Sequence, residues 1–191
     1  MNLTRNSLAG PDSDENSTEL IVWGLNSEGQ LGIGENYIRK TLTNPKICKF
    51  KMRIKDISCG DNHSVFLTFD YRVYSMGSNT YGQLGLGTSE LTDKSSPHLI
   101  EGLSDNTIVK ISSNGNYSLA LNSNGAPFSW GENACGQLGI SSYLNKDAPT
   151  EILLPKSQIS GQNPKILDID CGLRHFAMIS EEFELLVCGN N

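Results

Sequence analysis

An all-β repeat protein of β-propeller type is predicted by three observations in this 191-residue chain. The tetrapeptide Gly-Gln-Leu-Gly occurs three times at near-constant spacing, a second block recurs in phase with it, and no stretch carries a sustained 3.6-residue apolar stripe with caps. Self-similarity at a fixed period of this size marks one supersecondary unit repeated side by side. Short apolar runs cut by Gly, Asn, Asp or Ser identify that unit as strands bounded by tight turns. Little helix is expected.

Taken in order, residues 1–19 lack an apolar core and hold one cation, Arg5, against Asp12, Asp14, Glu15 and Glu19. They read as a disordered polar tail, not a secretory signal, with Gly10-Pro11 marking a break. Residues 20–191 form the repeat region. Its first copy opens at Trp23-Gly24 and runs to Gly29-Gln30-Leu31-Gly32; its second opens at Met76-Gly77 and runs to Gly82-Gln83-Leu84-Gly85. The third opens at Trp130-Gly131 and runs to Gly136-Gln137-Leu138-Gly139. Spacings are 53 and 54 residues (29 to 82 to 136), and a fourth start, Cys188-Gly189-Asn190, follows.

The second shared block comprises Ile57–Leu67, Ile111–Leu121 and Ile169–Ile179. One unit then reads as four strands: Lys55–Cys59, His63–Phe69, Arg72–Gly77 and a looser one near His98–Glu101. Val65, Leu67 and Phe69 share one side of the second, since side chains alternate with period two. Four short strands per unit is the blade of a propeller. In Gly-Gln-Leu-Gly the chain reverses sharply, and Gly accepts the positive φ that a tight reversal requires. Leu31, Leu84 and Leu138 are expected to plug the space between blades, and each Gln amide to satisfy turn backbone groups.

The string Trp-Gly-x-Asn-x-x-Gly-Gln-Leu-Gly, present as Trp23–Gly32 and Trp130–Gly139, resembles the repeats of the regulator of chromosome condensation family, which are seven-bladed propellers. The resemblance covers Leu20 to Asn191. Other propeller families of similar period fit worse, because no Trp-Asp dipeptide and no Gly-Gly doublet occurs. Seven such units need roughly 370 residues. Two complete blades and two partial ones are expected here: a truncated gene product, an open array, or a fragment completed by another chain. The cut inside Cys188-Gly189-Asn190-Asn191 favours truncation. Open blade edges invite self-association.

Composition narrows the function classes. A net charge of −6 disfavours a nucleic-acid binder, whose affinity comes from clustered Lys and Arg. The run Lys46, Lys49, Lys51, Arg53, Lys55 alternates through a strand and its loop and reads as a solvated face. No apolar run is long enough to span a membrane, and an intracellular address, cytoplasmic or nuclear, is the default. Five Cys (48, 59, 135, 171, 188) do not make a disulfide framework. Cys59 with His63, and Cys171 with His175, have a spacing that superficially suggests zinc. The middle repeat puts Ser113 and Tyr117 there, so buried Cys plus a His bonding the neighbouring turn is the preferred reading. His98 has no assigned role. Neither a nucleophile elbow, a P-loop nor a dinucleotide fingerprint is present, so no enzyme activity and no cofactor are expected.

The resemblance implies further readings. One branch of the family senses ultraviolet light through Gly-Trp-Arg-His motifs, but this chain has Gly172-Leu173-Arg174-His175 and no tryptophan cluster. The founding member exchanges guanine nucleotide on a small GTPase using an inserted wedge. Length excess here lies in the third repeat, near Leu154–Pro164, where Lys156, Gln158 and Gln162 are the candidate partner-binding residues. Longer loops often carry function. The reading adopted is a non-catalytic protein-interaction scaffold; an exchange factor for a small GTPase and a regulatory propeller fragment of a larger ubiquitin ligase are the alternatives.

Overall fold

The computed structural model describes residues 16–35, 40–87 and 91–190; most of the polar N-terminal tail lies outside these. The strands fall into four antiparallel sheets. β1 (Thr18–Asn26) pairs with β2 (Lys40–Phe50). β3 (Ile54–Cys59), β4 (His63–Thr68), β5 (Val73–Gly77) and β6 (Lys94–Leu99) follow in spatial order, as do β7 (Ile108–Asn114), β8 (Tyr117–Asn122), β9 (Pro127–Gly131) and β10 (Lys146–Glu151). β11 (Ile166–Cys171), β12 (His175–Ser180) and β13 (Leu185–Gly189) make the last sheet. This is the expected arc of two complete and two partial blades. A short 3-10 turn, Glu101–Leu103, follows β6.

First strands of successive sheets lie together: β3 against β7, and β7 against β11. They are stitched by Ser113 N donating to Ser58 Oγ at 2.8 Å and Cys171 N donating to Ser112 Oγ at 3.0 Å. Second strands are sandwiched. All six residues of β4 and of β8 are buried, because alternate side chains point to two different neighbours. Val65 and Leu67 face forward, into a cluster with Ile108, Ile111, Ala120 and Trp130. Phe66 faces back onto Phe50, Cys48 and Met76.

The Gly-Gln-Leu-Gly corner is built the same way in all three copies. The Asn five residues ahead of the Leu accepts its N–H: Asn26 from Leu31 at 2.9 Å, Asn79 from Leu84 at 3.1 Å, Asn133 from Leu138 at 3.0 Å. Each Gln Oε1 accepts the N–H two residues earlier, as from Tyr81 to Gln83 at 2.8 Å. Gly82 has φ 79°, and a Cβ there would lie 2.6 Å from Asp147 Cα on β10. Glycine is therefore needed twice over, for conformation and for the approach of the next blade.

Several expectations shift. The fourth strand is Lys94–Leu99, earlier than read, and Glu101 falls in the 3-10 turn. Lys-Ser-Ser-Pro-His-Leu is an outer strand open to water, so its apolar alternation is weak. Phe69 lies beyond β4 and is exposed, separated from Val65 and Leu67. Leu84 and Leu138 are fully buried, whereas Leu31 is half-buried. β1 begins at Thr18, inside the segment read as tail.

Candidate docking face

Strand direction sends two kinds of connection to each side of the arc. On one side lie the β3–β4, β7–β8 and β11–β12 hairpins with the Gly-Gln-Leu-Gly corners. On the other, called the loop face below, lie the β4–β5, β8–β9 and β12–β13 turns and the crossings from one sheet to the next.

Those crossings differ in length. By subtraction of strand ends, residues 51–53 join β2 to β3, residues 100–107 join β6 to β7, and residues 152–165 join β10 to β11. The last is the excess read from the sequence, and Ser157 pins it. Ser157 is buried, and its Oγ donates to Glu182 Oε2 on the β12–β13 turn while accepting from Ile159 N and Ser160 N. Gln158 N donates to Glu184 Oε1 at 2.8 Å, and Ser157 N to Gln162 O at 2.8 Å. These bonds fold the segment onto the neighbouring blade. The Ser157 hydroxyl holds the Glu182 carboxyl below the usual carboxylate range.

Lys156, Gln158 and Gln162 are all exposed on this segment, so the structure brings the three candidates together on one loop. Their backbone is committed and their side chains are not. Sequence reasoning missed Ser157 with its partner Glu182, and Glu184, which accepts from Gln158 N; a serine at both ends of Ser157-Gln158-Ile159-Ser160 was the available signal, since such serines bond nearby N–H groups. It also missed Ile159, 69% exposed at the loop tip. Beside the loop runs a mainly apolar groove of about 330 Å³, walled by Ile152, Leu154, Pro155, Phe176, Leu186 and Cys188.

The opposite side absorbs the Cys and His pairs. His63 is buried, sharing a 2.8 Å hydrogen bond from Nε2 with Ser118 Oγ of the next sheet. Burial pushes its pKa down to about 4. Tyr117, at the same repeat position, donates to Gly172 O at 2.8 Å and to His175 O, and burial raises its pKa. His175 and Cys59 are exposed. Cys171 is buried, which pushes its thiol up to about 12. The reading of buried Cys with a turn-bonding His is thus corrected: Cys59 is open, and His63 reaches across to the next blade. No group of three or more potential metal ligands occurs among the described residues, and no helix among them is long and apolar enough to cross a membrane.

The profile of the Regulator of chromosome condensation (RCC1) repeat matches residues 19–67, 70–121 and 124–179. The chain is 35% identical over 173 residues to the probable E3 ubiquitin-protein ligase HERC6 of Homo sapiens, 90% of this chain and 16% of that protein. It is 30% identical over 174 residues to the ultraviolet-B receptor UVR8 of Arabidopsis thaliana, 90% of this chain and 37% of that one. Among solved structures, human WBSCR16 superposes with a TM-score of 0.73 at 26% identity, covering 90% of this chain and 44% of that chain. Yeast RCC1 (Prp20), solved bound to Kap60, superposes at 0.70 with 24% identity over 88% of this chain and 39% of its own. The chain thus spans less than half the length of each of these four.

Proposed function

This chain belongs to the RCC1 repeat family, and from that premise we propose that it is a non-catalytic module for binding another protein through its loop face. The observation that carries the reading is the 152–165 crossing. Crossings of eight and three residues suffice elsewhere in the same arc (100–107 and 51–53), so the architecture does not call for the longer one. Pinned at Ser157, it presents Lys156, Gln158, Ile159 and Gln162 from a fixed backbone, which lowers the entropy lost on binding. The module operates in the cytoplasm or nucleus.

Site-specific photocrosslinking tests it. A photoreactive residue at Ile159 should give discrete adducts, and one at Tyr143, exposed beside the Gly-Gln-Leu-Gly corners, should not. Adducts of equal yield at both positions, or at neither, would refute the assignment of this face.

Similarity to HERC6, 35% identity over 90% of the chain, favours one finer reading, that the module is the regulatory propeller part of a larger ubiquitin ligase. Transcript sequence that continues into a catalytic domain supports this, and one that encodes only repeats removes it. Guanine-nucleotide exchange on a small GTPase is less well served. A wedge must project, whereas the added residues are folded back onto the β12–β13 turn. The bare apolar faces at Ile21, Trp23, Leu25 and Ile47, and at Leu185 and Val187, suit cover by further blades or a second copy.

A further inference from the structure

We propose that the loop face carries a second element at its other end: a cationic and aromatic groove on the second sheet that takes an acidic segment of a partner polypeptide. This rests on the reading of the face as a docking surface, and it names the chemistry of what docks there.

The groove uses a backbone slot that three of the four sheets repeat. The residue just after the second strand donates its N–H to the carbonyl just before the first. These pairs are Phe69 to Arg53 at 3.0 Å, Ser123 to Thr107 at 2.8 Å and Glu181 to Lys165 at 2.8 Å. The bond recurs while the side chains change, so the architecture leaves them free to vary. In the second sheet alone the slot holds a cation and an aromatic. The Arg53 guanidinium lies 4.8 Å from the Phe69 ring centroid, and the Lys55 ammonium 5.3 Å from that of Tyr71.

Neither ring is buried: Phe69 is 51% exposed and Tyr71 45%. Tyr71 sits at φ 64°, a turn position that Gly125 fills at φ 83° in the next sheet and Phe183 at φ 61° in the last. A bulky residue in the left-handed region is disfavoured.

Lys51, Met52, Arg53, Phe69, Arg72 and Tyr74 wall a groove of about 510 Å³. Three cations line it against one carboxylate, Asp70, whose Oδ2 is 3.4 Å from Arg72 Nε. On a chain of net charge −6 this is a local reversal of sign. It steers acidic groups toward the groove. Stacking pre-orients the Arg53 fork for carboxylate, and exposed Tyr, Phe and Arg supply the contact area on which interfaces depend. The cations span one hairpin and one crossing, a short footprint for a phosphate backbone and a fitting one for a few Asp or Glu side chains.

The probe is a fluorescein-labelled peptide of about ten residues rich in Asp and Glu, titrated with the full chain at low salt and read by anisotropy. Binding should weaken as salt rises and should be absent for a Lys-rich peptide. Arg53→Gln with Arg72→Gln should weaken it about tenfold or more. Asp70→Asn, which frees Arg72 from its internal partner, should tighten it by about two- to threefold, a gain that misfolding cannot produce. Phe69→Ala, which removes the ring under the Arg53 guanidinium, should weaken binding while leaving the melting temperature nearly unchanged. Unchanged affinity in the double Arg variant, or tighter binding of a single-stranded oligonucleotide through the same residues, overturns the proposal. Crosslinks at Ile159 without peptide binding remove the groove and leave the docking face standing; peptide binding without those crosslinks does the reverse.

Discussion

Trp130 and Trp23 hold the same repeat position on either side of a complete blade, and their surroundings are opposite. Trp130 is fully buried, lies over Gly85 and donates from Nε1 to Gln83 O at 2.9 Å. Trp23 is 61% exposed, in a row with Ile21, Leu25 and Ile47. At the other end of the arc the contrast repeats. His63 is sealed against Ser118 of the following sheet, whereas His175 is open. A repeat residue is therefore not core by its own chemistry. The neighbouring blade makes it core, and stability in such an array is a sum of unit and interface contributions.

The largest test of this contrast is at the tryptophans. Trp130→Ala should destabilise by about 3–5 kcal/mol in urea unfolding, and Trp23→Ala by less than about 0.5 kcal/mol, as at exposed sites generally. Equal losses would mean that Trp23 is covered in solution. Leu84→Ala and Leu138→Ala should each lose about 2–5 kcal/mol, with Leu31→Ala losing less, because Leu31 is half-buried.

The next contrast is in pH. His63 titrates near 4 when folded and near 6.5 when unfolded, so the unfolded chain binds the extra proton between those values. Its contribution is fully present above pH 6.5 and is lost as pH falls toward 4, by up to about 3 kcal/mol. His63→Gln should flatten that part of the stability curve. A profile identical to that of the parent chain would count against burial of the neutral imidazole.

The smallest difference is expected between two glycines of the same corner. Gly82 meets Asp147 Cα on an outer strand, while Gly136 meets the Tyr143 ring at 3.5 Å. Both have positive φ, so both valine variants are strained, but Gly82→Val should lose about 1–2 kcal/mol more in thermal unfolding. Parity between them would show that φ alone sets the penalty.

Much of the arc was legible in the chain. Three in-phase copies of Gly-Gln-Leu-Gly and the Ile57–Leu67 block located the first three strands of each blade, since tight turns need particular residues. The Asn of each corner stood in the motif, yet its bond to the Leu N–H emerged only from coordinates. β6 was misplaced because a solvent-facing outer strand carries little apolar alternation. At the candidate face, loop length alone singled out Lys156, Gln158 and Gln162 as candidates. Ser157 was overlooked, as its partner Glu182 lies 25 residues downstream. The cations of Lys51–Lys55 were visible as a run, but Phe69, Tyr71 and Arg72 join them only when β4 and β5 fold back.

The order of residues by itself determined the repeat, its period, the turns and the family, because these depend on local backbone demands and short-range patterns. Tertiary structure alone decided which copy of each residue is core and which is surface. Each matched repeat, such as 70–121, begins at the third strand of one sheet and ends in the second strand of the next. A side chain at a given repeat position therefore meets its partner some fifty residues away, as His63 meets Ser118. Whether that partner exists is set by the neighbouring blade.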